Sequence, residues 1–563
     1  MNRQNFHLSR AFVLMACQLM LTTAFASGKN TMDNQQQATD NRPIVELSVG
    51  ALSGANDGAL RVFRGIPYAE PPTGANRWQA PKPRKPWDGV FDAAEFGASC
   101  PQVVSDVPNL YTNDISPFSE DCLTLNVWAP ADARNAPVFV WIHGGSLLKG
   151  ASREVYYDGA KLAEQGLVVV TINYRLGVLG YMAHPELSAE SPLGISGNYG
   201  LLDQVEALKW VRDHIGAFGG DPGNVTLAGE SAGALSVMYL MASPAATGLF
   251  HRAIVQSGYM INMPDLKESR HGYPAAEAVG SFLGEQLGAP DISALRNLDA
   301  ETVIQAAAAA NYFPLATVDG QLLTEQLVET FNRGTQAPVP LLVGFNSGEI
   351  RSLRILAPQP PGSATEYETV IRERYLDLAD EFLRLYPSDN LEESIIAATR
   401  DALYGWTSEA MARSQTSLGQ SAYLYLFDHG YPAADDAGLH AFHASELPYV
   451  FGTIDRGPPL WPKIPQNPEE REFSDTMIGY WASFATNGEP RVEGAPYWPA
   501  WDDDRAYLRF TDRPVQETGL LPGMYELHET AVCRRLATGS QPWHWNVGLI
   551  SPILEPAPDD ACP

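Results

Sequence analysis

The chain has 563 residues, 45% of them hydrophobic and 18% charged, and a formal net charge of −28. This composition can build a large packed core, and its acidity excludes a nucleic-acid partner, because phosphate recognition needs a basic face. Domain-size priors would split such a length about three or four ways, yet no low-complexity stretch or internal repeat divides it.

Residues 1–26 read as an export signal. Arg3, His7 and Arg10 make a basic start, residues 11–25 are mostly apolar, and Ala24-Phe25-Ala26 offers a small-x-small cleavage site. A lipoprotein cut before Cys17 would leave only about six apolar residues, short of the usual run of about seven or more. Cleavage after Ala26 is therefore expected, giving a secreted or periplasmic protein with no stable membrane span. Residues 27–42 are polar and Gln/Asn-rich and read as a flexible linker. Regular patterning begins at Pro43; the catalytic domain is expected over 43–536 and a C-terminal tail over 537–563. Loss of the leader leaves Cys100, Cys122, Cys533 and Cys562. An even count in an exported chain favours disulfides. Of the possible pairings, Cys100–Cys122 with Cys533–Cys562 is the simplest.

Short apolar runs at 123–128, 138–142, 167–172, 225–228, 253–255, 341–343 and 423–427 read as strands. Leu202, Val205, Leu208, Val211, Ile215 and Phe218 recur every three or four residues, an amphipathic helix stopped by Gly219-Gly220. Strands alternating with helices predict an α/β fold with a large, mostly parallel sheet covered on both faces. Ligand sites in such sheets lie beyond the C-terminal strand ends.

Residues 229–233 read Gly-Glu-Ser-Ala-Gly at the end of one such strand and the start of a helix-prone run. A serine on that tight turn presents its Oγ, and the flanking glycines remove Cβ atoms that would collide. A serine hydroxyl needs a base, and the base needs an orienting carboxylate. Glu349 follows the strand at 341–344 and His443 follows the strand at 423–427. The chain order Ser231, Glu349, His443 is that of the α/β-hydrolase arrangement. The fourth part is His143-Gly144-Gly145-Ser146 after the strand ending at Ile142. The N–H groups of Gly145 and Ser146, with that of Ala232, are the expected oxyanion hole. A phosphate loop is the rival for the Gly-Gly turn, but no Gly-Lys-Ser/Thr follows.

These segments closely resemble the type-B carboxylesterases, the group that includes cholinesterases and neutral bacterial esterases. The resemblance runs from about Ile44 to about His528. It is carried by Phe63-Arg64-Gly65-Ile66-Pro67-Tyr68-Ala69, Ser119-Glu120-Asp121-Cys122-Leu123-Thr124-Leu125-Asn126-Val127, Gly197-Asn198-Tyr199-Gly200-Leu201-Leu202-Asp203-Gln204, Phe218-Gly219-Gly220-Asp221-Pro222 and the serine pentapeptide. It implies an α/β-hydrolase fold with long loop insertions over the site and a serine-dependent carboxylic ester hydrolase acting on a small-molecule ester. It implies no cofactor and no metal. It also implies Ser231 as nucleophile, Glu349 as acid, His443 as base and a Cys100–Cys122 bridge.

The chain departs from its relatives in places. The loop between Cys100 and Cys122 has no Trp, where cholinesterases resemble one another in carrying one as a cation–π platform, which argues against choline esters. Leu147, Leu148 and Lys149 stand where many relatives have aromatics. Arg351 and Arg354 follow Glu349, and Lys149 follows Ser146. Lys149 and Arg351 are candidate contacts for a carboxylate-bearing ester. Three rivals are an acyltransferase using the same acyl-enzyme, a non-catalytic adhesion module, and a metal site at His440-x-x-His443 with Glu446. The oligomeric state is not legible, and the tail matches nothing assignable.

Overall fold

The computed structural model of the protein describes residues 42–104, 107–556 and 562. The expected export signal, and the expected linker except Arg42, lie outside the described residues. Arg42 itself is anchored: its guanidinium donates to the carbonyls of Gly54 at 2.7 Å and Ser53 at 2.9 Å and pairs with Asp92.

In chain order the strands are β1 (Ile44–Leu47), β2 (Gly50–Ser53), β3 (Ala55–Asp57), β4 (Leu60–Pro67), β5 (Val90–Asp92), β6 (Thr124–Pro130), β7 (Ala136–Ile142), β8 (Val168–Ile172), β9 (Gly220–Glu230), β10 (Arg252–Gln256), β11 (Leu341–Asn346), β12 (Ala422–Phe427), β13 (Ala506–Phe510) and β14 (Pro514–Thr518). Strands β1, β2 and β5 form a small sheet, and the others one large sheet in the order β14-β13-β12-β11-β10-β9-β7-β8-β6-β4-β3. Its centre, from β8 through β7 and β9 to β13, is parallel. Its two margins are antiparallel, at β8/β6/β4/β3 and at β13/β14.

Side chains on a strand alternate between faces, and here each face has its own core. Val138, Val140 and Ile142 of β7 join Val343 and Phe345 of β11 on one side. Phe139 and Trp141 join Leu342, Tyr423 and Tyr425 on the other. The first face is covered by the helices Tyr199–His214, Ala232–Ala242 and Trp406–Ser417, the second chiefly by Pro468–Asn487. Strands buried on both faces need continuous apolar runs, which explains why these segments are conspicuous in sequence.

Two boundaries differ from the periodicity. The helix expected to reach Gly219 ends at His214 and tightens into a 3-10 turn, Ile215–Phe218, before Gly219 adopts φ 88°. Strand β9 starts at Gly220, five residues before its apolar run, because Gly220 pairs with Ala136 across an irregularity in the β7 register. At the other end, the helix Met524–Thr538 runs through the expected domain boundary, and the tail beyond it packs on the body. No described helix is long and apolar enough to cross a membrane.

Candidate active site

Strand β9 delivers the serine turn. Ser231 has φ 55° and ψ −121° and immediately precedes the helix Ala232–Ala242. The turn requires its glycines: a Cβ on Gly229 would sit 2.5 Å from the carbonyl carbon of Gly233, and one on Gly233 2.0 Å from the Ile142 oxygen. The Ser231 N–H donates to the Gln256 carbonyl at 2.9 Å, tying the turn to β10. Only 8% of Ser231 is exposed.

Strand β11 delivers the candidate acid. Glu349 is fully buried; its Oε1 accepts the Asn346 N–H at 2.8 Å and its Oε2 is hydrogen-bonded to His443 Nδ1. The histidine loop is held against the same strand end. Asn346 Nδ2 donates to the Phe442 carbonyl at 2.8 Å and to Glu446 Oε2 at 2.6 Å, and the Gly348 N–H to the Ala441 carbonyl at 2.8 Å. Glu446 Oε1 accepts from Gln256 Nε2 at 2.9 Å.

The other ring nitrogen, His443 Nε2, lies 3.1 Å from Glu230 Oε1, without the angle of a hydrogen bond. Burial raises the pKa of Glu230, and the neighbouring Glu446 and Glu349 push it the same way against the pull of His443. Burial pulls His443 down, but the carboxylates of Glu230 and Glu349 outweigh it and leave the imidazole above its ordinary value. Tyr404, in the π-helical turn Asp401–Gly405, packs on the His443 ring with centroids 5.6 Å apart. Tyr111 donates to the His443 carbonyl at 3.1 Å.

The loop after β7 completes the arrangement. Gly145 and Ser146 have φ of 105° and 60°. A Cβ on Gly145 would lie 2.1 Å from the Lys149 carbonyl oxygen. Among the described residues, the N–H groups of Gly145, Ser146 and Ala232 make no hydrogen bond outside the helix, which leaves them able to receive a ligand oxygen. His143 braces the loop: it stacks on Tyr174 at 4.5 Å, and burial lowers its pKa to about 4, so it is neutral.

Ser231, His443, Gly145 and Ser146 line one cavity of about 760 Å³. The Cys100–Cys122 disulfide closes the loop that supplies Tyr111, Asn113 and Phe118 to its wall, with Cα atoms 5.0 Å apart. Gln102 holds that loop to the Gly145 loop through two hydrogen bonds with Gly150, of 2.8 and 3.0 Å. The second expected bridge, Cys533–Cys562, is also present, with Cα atoms 5.8 Å apart.

The two candidate cations part company. Lys149 lines the cavity. Arg351 does not: it is turned outward and pairs with Glu393 at 2.7 Å, while Arg354 pairs with Glu392 at 2.8 Å. Glu393, an exposed acid on the helix Leu391–Arg400, holds Arg351 away from the pocket rim. The set His440, His443 and Glu446 is likewise not assembled, because His440 is held by Asp435 at 2.8 Å and Asp428 at 3.1 Å.

The carboxylesterase family model matches residues 41–526. The chain belongs to the carboxylesterase family. It is 38% identical over 479 residues to the para-nitrobenzyl esterase of Bacillus subtilis (strain 168), covering 84% of this chain and 95% of that protein. It is 34% identical over 515 residues to the fumonisin B1 esterase of Sphingopyxis macrogoltabida, covering 88% and 91%. Among solved structures, a PNB esterase superposes with a TM-score of 0.76 at 34% identity, covering 86% of this chain and 99% of that one. A Geobacillus stearothermophilus carboxylesterase superposes with a TM-score of 0.74 at 32% identity, covering 86% and 100%. The protein is thus a carboxylic ester hydrolase with the α/β-hydrolase fold.

Several site residues were not singled out in sequence. Glu230 stands inside the serine pentapeptide, and a carboxylate next to the candidate nucleophile was the available signal. Glu154 is a buried carboxylate in the cavity wall, accepting from Asn113 at 3.2 Å, the Ala151 N–H at 3.2 Å and the Tyr156 hydroxyl. Nothing in its local pattern announces it.

Proposed function

We propose that this carboxylesterase works through an acyl-enzyme on Ser231. Ser231 Oγ attacks the ester carbonyl carbon while His443 Nε2 takes its proton; Glu349 fixes the ring and balances the imidazolium charge. The carbonyl oxygen, now an oxyanion, is received by the N–H groups of Gly145, Ser146 and Ala232. His443 returns the proton to the departing alcohol, and water then repeats the sequence to release the acid. The observation that carries this reading is the Glu349–His443 hydrogen bond beside a strained serine turn in the same cavity. An organophosphate should modify Ser231 and no other serine, read by peptide mass spectrometry. Labelling elsewhere would overturn the assignment. Added alcohol should not divert the acyl group; ester exchange outpacing hydrolysis would make the enzyme an acyltransferase.

Para-nitrobenzyl esters are the first substrates to assay, following the name of the B. subtilis relative. Lys149 in the cavity supports acceptance of esters that carry a carboxylate. Export belongs to the same reading: the secreted protein begins at Ser27, as Edman sequencing of the mature chain would show, and a retained Met1 would refute it.

A further inference from the structure

Beyond residue 526, where the family match ends, the chain does not trail away. Helix Met524–Thr538 ends at Gly539, and the following segment folds back onto the body. The buried Arg535 pins it, donating to Asn546 Oδ1 at 2.8 Å, to Gln541 Oε1 at 2.8 Å and to the Pro552 carbonyl at 2.7 Å. Tyr375 receives it from the other side, donating to the Asn546 carbonyl at 2.8 Å and accepting the Gly548 N–H at 3.1 Å. Trp543, Val547 and Leu554 are core residues, and Cys533–Cys562 clasps the ends. A segment built this firmly holds its exposed side chains in fixed places.

Three of its residues, Pro542, His544 and Trp545, face the catalytic cavity. His544 is neutral, because burial lowers its pKa to about 3, and its Nδ1 accepts the Asn262 N–H at 3.2 Å. Trp545 stands beside it, half-buried, with the ring centroids 5.8 Å apart. The large apolar lining residues that are exposed include Phe313 at 54% and Ile355 at 93%. On a chain of net charge −28, apolar side chains gathered around one cavity mark a place where apolar ligand is covered. The aromatic face of Trp545 would contribute most of that cover.

We infer that the C-terminal segment is a specificity element of this esterase, its Trp545 taking, with Phe313 and Ile355, an extended apolar chain on the acyl or alcohol side of the ester. Trp545 acts on substrate selection and not on bond cleavage. The inference rests on the cavity being the ester site.

The test uses the full-length mature enzyme and two substrate series: p-nitrophenyl acetate to p-nitrophenyl decanoate for the acyl side, methyl acetate to decyl acetate for the alcohol side. In one series, Trp545→Ala should lower the ratio of kcat/KM for the longest to the shortest ester about tenfold, with the change in KM. Trp545→Phe should restore most of the ratio. Ile553→Ala, on the same segment outside the cavity, should leave it as in the wild type. Unchanged ratios in both series, or equal losses on long and short esters, would overturn the inference. Organophosphate labelling of Ser231 separates the two failures. Labelling with unchanged ratios defeats only the role of the segment, whereas absence of labelling defeats the reading of the cavity itself.

Discussion

Ser231 occupies a backbone conformation, φ 55° and ψ −121°, that an L-residue adopts at a cost of about 1–3 kcal/mol. The strain holds Oγ at the cavity, and it predicts an opposition between activity and stability. Ser231→Ala should lose about four or more orders of magnitude in kcat with its fold intact. Ser231→Gly should be as inactive, yet more stable than Ser231→Ala by about 1 kcal/mol in denaturant unfolding, because glycine relieves the positive φ. Equal stabilities would show that the turn is unstrained. The two histidines give a second contrast. His443→Ala should abolish turnover, whereas His440→Ala, whose ring is committed to Asp428 and Asp435, should keep it. In the proposed mechanism His443 must be neutral to accept the Ser231 proton, so kcat/KM should rise with pH through the His443 ionisation. Its midpoint should lie above the ordinary histidine value of about 6.5, because Glu230 and Glu349 raise it against burial. Glu230→Gln removes one of these carboxylates and should move the rising limb to lower pH; a limb that stays in place would remove Glu230 from the electrostatics of the base. At this scale the triad candidates were legible, since each follows an apolar strand in a known chain order. Glu230 and Tyr404 were not, because their contact with His443 exists only once β9 and the π-helical turn are brought to one cavity.

Strands and loops carry the site in different ways. The strand ends at Glu230 and Asn346 are fixed by parallel pairing with β10 and β12 respectively, whereas the wall over them is a loop with little regular structure. That loop is pinned at its base by the Cys100–Cys122 bridge and by Arg77, which donates to Glu120 with two bonds of 2.7 Å. A bridge across 22 residues is worth about 3 kcal/mol in the loop-entropy estimate. The double variant Cys100→Ser/Cys122→Ser should therefore unfold at lower denaturant by about that free energy. It should also raise KM more than it lowers kcat, since the loop lines the cavity and the proposed triad is held elsewhere. A loss in kcat alone would contradict this division. The apolar runs identified the strands, but not their order, because pairing joins segments far apart in sequence: β7 sits between β8 and β9, and β9 beside β10. The tail illustrates the converse. Its two tryptophans had no periodic context, and contacts from separate helices, among them those of Arg535 and Tyr375, show where it lies.

Over the whole molecule, charge acts at two ranges on an anionic ester. The net charge of −28 repels such a substrate at long range, and within the cavity Lys149 competes with the carboxyl groups of Glu154 and Glu230. The long-range part is screened once the Debye length falls to about 10 Å near 0.1 M salt. Lys149 is itself exposed at the cavity, so salt screens its contact as well. For an ester bearing a carboxylate, kcat/KM should therefore rise as salt is added from low ionic strength, while that of a neutral ester of the same shape stays level. Lys149→Ala should lower the anionic-to-neutral ratio about tenfold, the low end of a charge-assisted hydrogen bond of about 1.5–3 kcal/mol, because the two carboxyl groups offset part of its field. That loss should shrink at high salt, because Lys149 is exposed. Arg351→Ala should not change the ratio, since its guanidinium is already paired with Glu393. An Arg351→Ala effect equal to that of Lys149→Ala would mean that anionic esters sense only the overall charge, and that no residue of the cavity selects them.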